Sequence, residues 1–400
     1  MNFPRILKKR KGYIDRIKPF MQKSVVKVLT GQRRVGKSFL LYQLIEEILA
    51  KEPDANIIYV NLEDFTFSSL QTAEDLHSYI ISHSKEKVKN YIFIDEIQDI
   101  PGFEKVIRSL LLNEDNDIYI TGSNAKMLSG ELATYLSGRY IEFKIYSLSY
   151  SEFLEFHGLT ESETSYELYS RYGGLPYLLN LPLEDETVNE YLKSVYSTIV
   201  FRDVVSRYKL RNTLFLEKLI QFLSENIGNL FSSKNISDYL KSQHTTISVN
   251  QIQSYTEYLN NAFLIHRVER YDLIGKRVFE IGEKYYFENM GIRNIVIGYR
   301  ITDKAKILEN LVYNHLLYKG YDIKVGYYGD KEIDFIGEKN GEKLYIQVAL
   351  KIDGDTAERE FGNLLKIQDN YPKIVITEDT FSGNSYEGIR HCPIRQFLME

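Results

Sequence analysis

The run Gly31-Gln32-Arg33-Arg34-Val35-Gly36-Lys37-Ser38 constrains this chain more than any other feature. It fits G-x-x-x-x-G-K-S/T, and its flanks fit too. A β-branched run, Val25–Thr30, leads in. An amphipathic stretch, Lys37–Ala50, leads out, with Phe39, Leu40, Leu44, Ile45, Ile48 and Leu49 at helical spacing. Gly31 and Gly36 let the backbone curl until successive N–H groups converge on phosphate oxygens. The helix N-terminus adds its partial positive charge. Residues Gly31, Gln32, Arg33, Arg34, Val35, Gly36, Lys37, Ser38 and Phe39 are therefore the expected nucleotide cradle. Lys37 would bring an ammonium to the β/γ oxygens, and Ser38 a hydroxyl to Mg²⁺. The competing reading is a Gly-containing strand–helix turn beside a surface Lys and Ser.

Strand-like runs alternate with amphipathic stretches over residues 24–145, and that alternation implies a parallel sheet with helices on both faces. Further strand-like runs follow at Ile57–Leu62, Tyr91–Asp95, Asp117–Thr121 and Ile141–Ile145. Tyr91–Asp95 ends in Asp95-Glu96. Two acids closing a buried strand are costly unless they work at the sheet's carboxyl edge, where ligands bind. Asp95 is expected to hold Mg²⁺ through water and Glu96 to polarise the attacking water. Asp117–Thr121 runs into Gly122-Ser123-Asn124, so Ser123 or Asn124 would reach the γ-phosphate and the lytic water. A plain Ser/Asn turn is the alternative. Asn61, ending its own strand, either holds Glu96 or is a simple turn residue. Arg139, in Leu136-Ser137-Gly138-Arg139-Tyr140, would meet the γ-phosphate in cis or from a neighbour, or else is a surface residue.

Charge and cysteine use exclude other classes. Net charge is −5, but residues 1–37 hold twelve Lys/Arg against one acid, leaving −16 on the rest. That basic arm is either a phosphate-seeking surface or a solvated helix face ahead of the loop. The longest apolar runs are about six residues where a membrane span needs ~20, so no membrane association is expected. No apolar core follows the basic start, so no secretory signal is expected. Cys392 is the single cysteine, and the seven histidines show no H-x-H or H-E-x-x-H. Disulfide frameworks and structural metal sites are thereby disfavoured, and a cytoplasmic setting is the default.

Past the sheet, residues 150–210 read as helices, broken at Gly158–Ser165 and at Gly173-Gly174-Leu175-Pro176, a fixed turn. Three helical patterns follow (Leu214–Asn226, Ser233–Ser242, Val249–Asn260), then two strand-like runs, Phe263–Tyr271 and Lys284–Glu288. That is the layout of a winged helix. Its third helix shows Asn250, Gln251, Gln253, Ser254 and Glu257 but no base, and the nearby Lys241, Arg267, Arg270, Lys276 and Arg277 are a modest supply for DNA phosphates. DNA binding and a packing role both stay open.

The last hundred residues read as helix (Ala305–Tyr318), three strands (Tyr321–Tyr328, Lys331–Gly337, Lys343–Leu350), helix (Asp355–Asp369) and strand (Lys373–Thr377). Asn340-Gly341 makes a good hairpin turn. This segment resembles the restriction-endonuclease-like fold, with Glu309 and Asp334 at its acid positions. Gln347 and Ala349 stand where an acid and a Lys are needed, and Lys351 lies two residues further on the same face. Cleavage activity is not expected.

The order G-Q-R-R-V-G-K-S, Y-I-F-I-D-E-I-Q, T-G-S-N, L-S-G-R-Y, R-Y-G-G-L-P-Y and Glu332-Ile333-Asp334-Phe335-Ile336 resembles a prokaryotic family of AAA-type ATPases followed by a domain of unknown function. The resemblance covers roughly residues 5–380. It implies a five-stranded sheet with the Asp117–Thr121 strand between the phosphate-loop and acidic strands, and a helical lid around the Gly173-Gly174 turn. Many relatives have Pro in place of Gln32, a position expected to supply backbone. The expected division is an ATPase domain over 1–148, a lid over 149–210, a winged-helix-like domain over 211–299 and a restriction-endonuclease-like domain over 300–400. The expected function is Mg²⁺-dependent ATP hydrolysis coupled to conformational change, with DNA, a protein partner or a homo-oligomer left open. The alternative is a nucleotide-gated switch with little turnover.

Overall fold

The computed structural model describes residues 8–125, 136, 138–242, 247–273, 282–329, 331–352, 354–379 and 385–400. Within the expected motifs, Ser137, Lys276 and Arg277 lie outside the described residues, as does the start of the basic arm. The chain forms two compact units. One runs to Tyr146 and takes in Asn261–Phe263; the other comprises Ser147–Asn260 and Leu264–Glu400.

In the first unit, β1 (Val26–Thr30), β2 (Asn56–Asn61), β3 (Asn90–Asp95), β4 (Asn116–Gly122) and β5 (Tyr140–Lys144) form an all-parallel sheet in the order β2-β3-β4-β1-β5. The strand carrying Asp117–Thr121 thus lies between the phosphate-loop strand and the acidic strand. The three central strands are buried along their whole length, because helices cover both faces of such a sheet.

Period-two alternation then sorts the side chains. Val26, Val28, Ile92, Ile94, Ile118 and Ile120 pack with Leu76 and Ile80 of helix Ala73–His83 and with Val106, Ile107 and Leu110 of helix Phe103–Leu110. The alternate positions on the strands carry Lys27, Phe93, Asp117 and Tyr119. There the Phe93 and Tyr119 rings stack at 4.5 Å. Lys27 pairs with Asp117 at zero exposure, and Tyr119 Oη also donates to Asp117 at 2.8 Å. Breaking such a pair would leave a bare buried charge, at a cost of roughly 3–5 kcal/mol.

In the second unit, the expected helical stretch appears as Tyr150–His157, Glu163–Tyr172 and Asp185–Thr198, the last continuing as a π-helix, Ile199–Ser206. The Gly173-Gly174 turn is fixed by close approach. A Cβ on Gly173, whose φ is +71°, would lie 2.3 Å from Asn289 Oδ1, and one on Gly174 would lie 2.3 Å from the Leu148 carbonyl oxygen.

Helices Thr213–Glu225, Ser233–Ser242 and Val249–Asn261 precede a mixed sheet. Its strands are β6 (Ile265–Asp272), β7 (Glu283–Phe287), β8 (Asp322–Tyr328), β9 (Lys331–Lys339), β10 (Glu342–Ala349), β11 (Lys373–Thr377), β12 (Ser385–Tyr386) and β13 (Ile389–Pro393). They run in the order β12-β13-β11-β10-β9-β8-β6-β7. The helices flanking β8 to β11 span Lys304–Tyr318 and Gly354–Leu365. Asn340 and Gly341 take φ of +52° and +82°, the two left-handed positions an Asn-Gly hairpin turn needs. The β6–β7 hairpin does not stand apart. Arg270–Asp272 on β6 pairs in parallel with Val325–Tyr327 on β8, so strands on either side of residue 299 share one sheet.

Candidate nucleotide site

The carboxyl ends of β1, β3 and β4 converge, with Thr30 paired to Gly122 and Ile94 to Ile120. That edge brings together Lys37, Ser38, Asp95, Glu96, Ser123 and Asn124. Gly31 cannot carry a side chain, since a Cβ would sit 2.1 Å from the Ile145 carbonyl oxygen. Gly36, at φ +96°, caps helix Lys37–Leu49. Arg34 is also left-handed, at φ +70°, and exposed. The curl therefore uses a non-glycine residue that the motif leaves unspecified. Val35 is buried and Phe39 exposed.

Lys37 is buried, and its Nζ donates to the carbonyls of Gly31 at 3.0 Å and Gln32 at 3.1 Å. The same ammonium lies 3.8 Å from Glu96 Oε1. Asp95 accepts from Thr121 Oγ1 at 2.5 Å and from the Ser38 hydroxyl. Burial pushes its carboxyl above the ordinary aspartate range, against those two hydrogen bonds. Thr121 Oγ1 also accepts the Glu96 backbone N–H at 2.9 Å, so one hydroxyl holds both acids.

Glu96 sits in a left-handed conformation, φ +56°. Burial raises its carboxyl, but the Lys37 ammonium and Arg33 guanidinium outweigh that and hold it below the ordinary glutamate range. Gln98 Nε2 reaches Glu96 Oε2 at 2.5 Å. Ser123 is wholly buried, and its hydroxyl favours the ionised form of Glu96. Asn124 is buried beside it in sequence. Asn61 turns out to be the turn residue: its Oδ1 accepts the Glu63 N–H at 3.0 Å, and the amide that meets Glu96 belongs to Gln98.

The donor set suits a hard divalent cation. Ser38 and Asp95 already face each other within hydrogen-bonding reach, and both offer oxygen. Arg139 stands elsewhere. It is exposed, and its carbonyl accepts the Val26 N–H at 3.0 Å. That is the amino edge of the sheet, the length of β1 (about 13 Å at ~3.3 Å per residue) from the phosphate loop.

Two partners of the loop were not legible as such. Gln32 supplies more than backbone: its side chain is fully buried, and Nε2 donates to the Phe263 carbonyl at 2.8 Å. Arg10, in the basic arm, is buried and donates through Nη1 to the carbonyls of Val35 at 3.1 Å and Tyr146 at 2.8 Å. Lys9 and Lys18 meet Glu47 instead. Part of the arm is therefore spent on bracing the loop and on the helix behind it. Arg10→Ala leaves buried carbonyls without their donor. It should cost roughly 1–3 kcal/mol of stability and weaken nucleotide binding several-fold. Thermal melting and nucleotide titration check this, and wild-type values in both would show that the loop carries itself.

Residues 23–154 match the model of the AAA domain, and residues 163–303 match a domain of unknown function, DUF8612. An uncharacterized protein of Haemophilus influenzae is 38% identical over 98% of both chains. An uncharacterized protein of Methanocaldococcus jannaschii, MJ1544, is 31% identical over 84% of this chain and 77% of its own. Among solved structures, the Aeropyrum pernix ORC1 protein in complex with DNA is 12% identical with a TM-score of 0.34, covering 73% of this chain and 93% of that one. The replication initiator DnaA bound to AMPPCP and single-stranded DNA is 15% identical with a TM-score of 0.33, covering 64% and 90%. Scores this low carry no assignment. Among the described residues no helix is long and apolar enough to cross a membrane. The chain belongs to the family of the Haemophilus influenzae and Methanocaldococcus jannaschii proteins, and in this chain an AAA domain, which implies ATP binding, is followed by the domain of unknown function.

Proposed function

We propose that this protein hydrolyses ATP with Mg²⁺ in the cytoplasm and couples the reaction to a conformational change that acts on a partner. The observation that carries the reading is the constellation at the sheet edge. Lys37 is fixed by two loop carbonyls, Ser38 is bonded to Asp95, and an ionised Glu96 lies 3.8 Å from the Lys37 ammonium. The loop amides and Lys37 grip the phosphates. Ser38 and Asp95 are the oxygens for a magnesium ion, which when bound neutralises phosphate charge. Glu96, ionised, accepts the proton of the attacking water. Arg139 acts from a neighbouring copy, since the length of β1 separates it from its own loop. Steady-state phosphate release with and without DNA tests the reading. Lys37→Ala should abolish nucleotide binding and release together; release undiminished in Lys37→Ala would place the activity elsewhere.

One contact favours the rival reading of a slow, nucleotide-gated switch. Gln98 holds Glu96 Oε2 at 2.5 Å, and a base so engaged turns over only once that amide lets go. A protein partner is favoured over DNA on the face of helix Val249–Asn261. Its exposed Asn250, Gln251, Gln253 and Glu257 include no base. Arg267 is paired with Glu269 and Glu283, and Arg270 lies 3.5 Å over the Tyr327 ring. We read the three helices with β6 and β7 as a winged helix used for packing, and the segment from helix Lys304–Tyr318 to β11 as restriction-endonuclease-like without cleavage. Gln347 and Ala349 support the inactivity, and Lys351, 74% exposed and 3.1 Å from Asp379, does not stand in for the missing Lys.

A further inference from the structure

Four ionisable groups that the nucleotide site does not use meet in the second unit. Lys284 on β7 is almost wholly buried. Its Nζ lies 2.6 Å from Glu332 Oε1, 2.9 Å from Glu309 Oε1 and 3.8 Å from Asp334 Oδ1. Every member has further support. Tyr286 Oη donates to Glu309 Oε1 at 2.6 Å and Tyr327 Oη to Glu332 Oε2 at 2.6 Å. The Val348 N–H donates to Asp334 Oδ2 at 2.8 Å. Continuing the β9–β10 register one pair past Ile346 and Phe335 sets Gln347 opposite Asp334, on the same face. Gln347 is buried, and its Oε1 has no hydrogen-bond partner.

In an active domain of the proposed fold, the acids at Glu309 and Asp334 would share a divalent cation with a third acid. The donor set here does not fit that ion. The third acid is the neutral Gln347, and an ammonium sits where the carboxylates converge. Among the described residues no group of three His, Cys, Asp or Glu is arranged to hold a metal ion. The neighbouring carboxylates Glu309, Asp334 and Glu332 outweigh the burial of Lys284 and raise its pKa, so it stays charged. Burial and Glu309 push Asp334 the other way from an ionised ligand, well above the usual carboxylate range.

We propose that the Lys284 ammonium permanently takes the place of a divalent cation in this acid constellation, making the C-terminal sheet a metal-independent scaffold. A tethered cation needs no binding equilibrium. It fastens the β6–β7 hairpin to helix Lys304–Tyr318 through Glu309 and to β9 through Glu332 and Asp334. A search of β10 for an acid-x-Lys pattern misses it, because Lys284 lies on β7 and precedes all three acids in the chain. The inference rests on the restriction-endonuclease-like reading for the identity of the positions. Cleavage of plasmid DNA tests that reading separately, so the two can fail independently.

The test is thermal melting of the full chain, without nucleotide, in EDTA and in millimolar Mn²⁺. Wild type should melt at the same temperature in both. A Mn²⁺-dependent rise that Asp334→Asn removes would overturn the proposal, because the acids would then bind metal alongside Lys284. Lys284→Ala exposes the vacated carboxylates to solvent cations. It should melt lower than wild type in EDTA and recover on the order of 5 °C in Mn²⁺, and adding Asp334→Asn should cancel the recovery. If Lys284→Ala does not stay soluble in EDTA, its refolding yield with and without Mn²⁺ gives the same reading. A Lys284→Ala protein that Mn²⁺ rescues by neither measure overturns the proposal, leaving Lys284 as an ordinary ion-pair partner.

Discussion

The Glu96→Gln protein is expected to bind ATP about as tightly as wild type and to release phosphate roughly 10²–10⁴-fold more slowly. The substitution keeps the shape and most hydrogen-bonding capacity of the side chain and removes only its basicity. Phosphate grip stays with Lys37, whose bonds to the Gly31 and Gln32 carbonyls do not involve Glu96. Gln at this position also loses the charge attraction of Lys37 and Arg33, which matters for ionisation rather than for the backbone, since the Thr121 contact uses the main-chain N–H. Equilibrium nucleotide binding and single-turnover phosphate release separate the two effects. Near wild-type release would remove Glu96 from the base role. If Gln98 restrains the base, Gln98→Ala should raise the rate in an otherwise wild-type chain.

Arg139→Ala should lower turnover on the order of 10³-fold while leaving ATP affinity close to wild type. Its backbone joins Val26 at the amino edge of the sheet, and its side chain is exposed rather than held in the phosphate loop's hydrogen bonds. On the proposed reading, a guanidinium so placed meets the γ-phosphate of another copy. Mixing is the sharp version of the experiment. Arg139→Ala keeps an intact loop and Lys37→Ala keeps Arg139, so on the proposed reading two inactive proteins should restore activity together. Unchanged turnover in Arg139→Ala alone would reduce it to a surface residue.

Most of the α/β sheet was legible because a parallel strand buried on both faces must be apolar throughout, and Tyr91–Ile94 and Ile118–Ile120 could hardly be anything else. The phosphate loop was legible because its function demands glycine at fixed positions. Helices Ala73–His83 and Phe103–Leu110 were expected from the alternation of strands and amphipathic stretches, but their bounds were not read. Thr72 and Asp75 cap the first reciprocally, a signal the sequence did contain. What sequence could not supply was pairing across distance. Lys27 in a buried strand makes sense only with Asp117 beside it. Thr121 looks like any β-branched strand residue until the Asp95 carboxylate and the Glu96 main-chain N–H are seen on its hydroxyl. Arg10 reads as one more charge in a basic arm until its carbonyl partners are in place, and Lys284 as part of a short polar-ended strand until three carboxylates close around it.

The ladder between β6 and β8 bears on how such a chain can be inherited. A recombination break near residue 299 would give each fragment a raw strand edge, a template for pairing with any other chain in the cell. Neither fragment could be exchanged for an unrelated module without also replacing the strand that covers it. The hairpin and the sheet it completes are therefore expected to fold, and to be exchanged, as one piece.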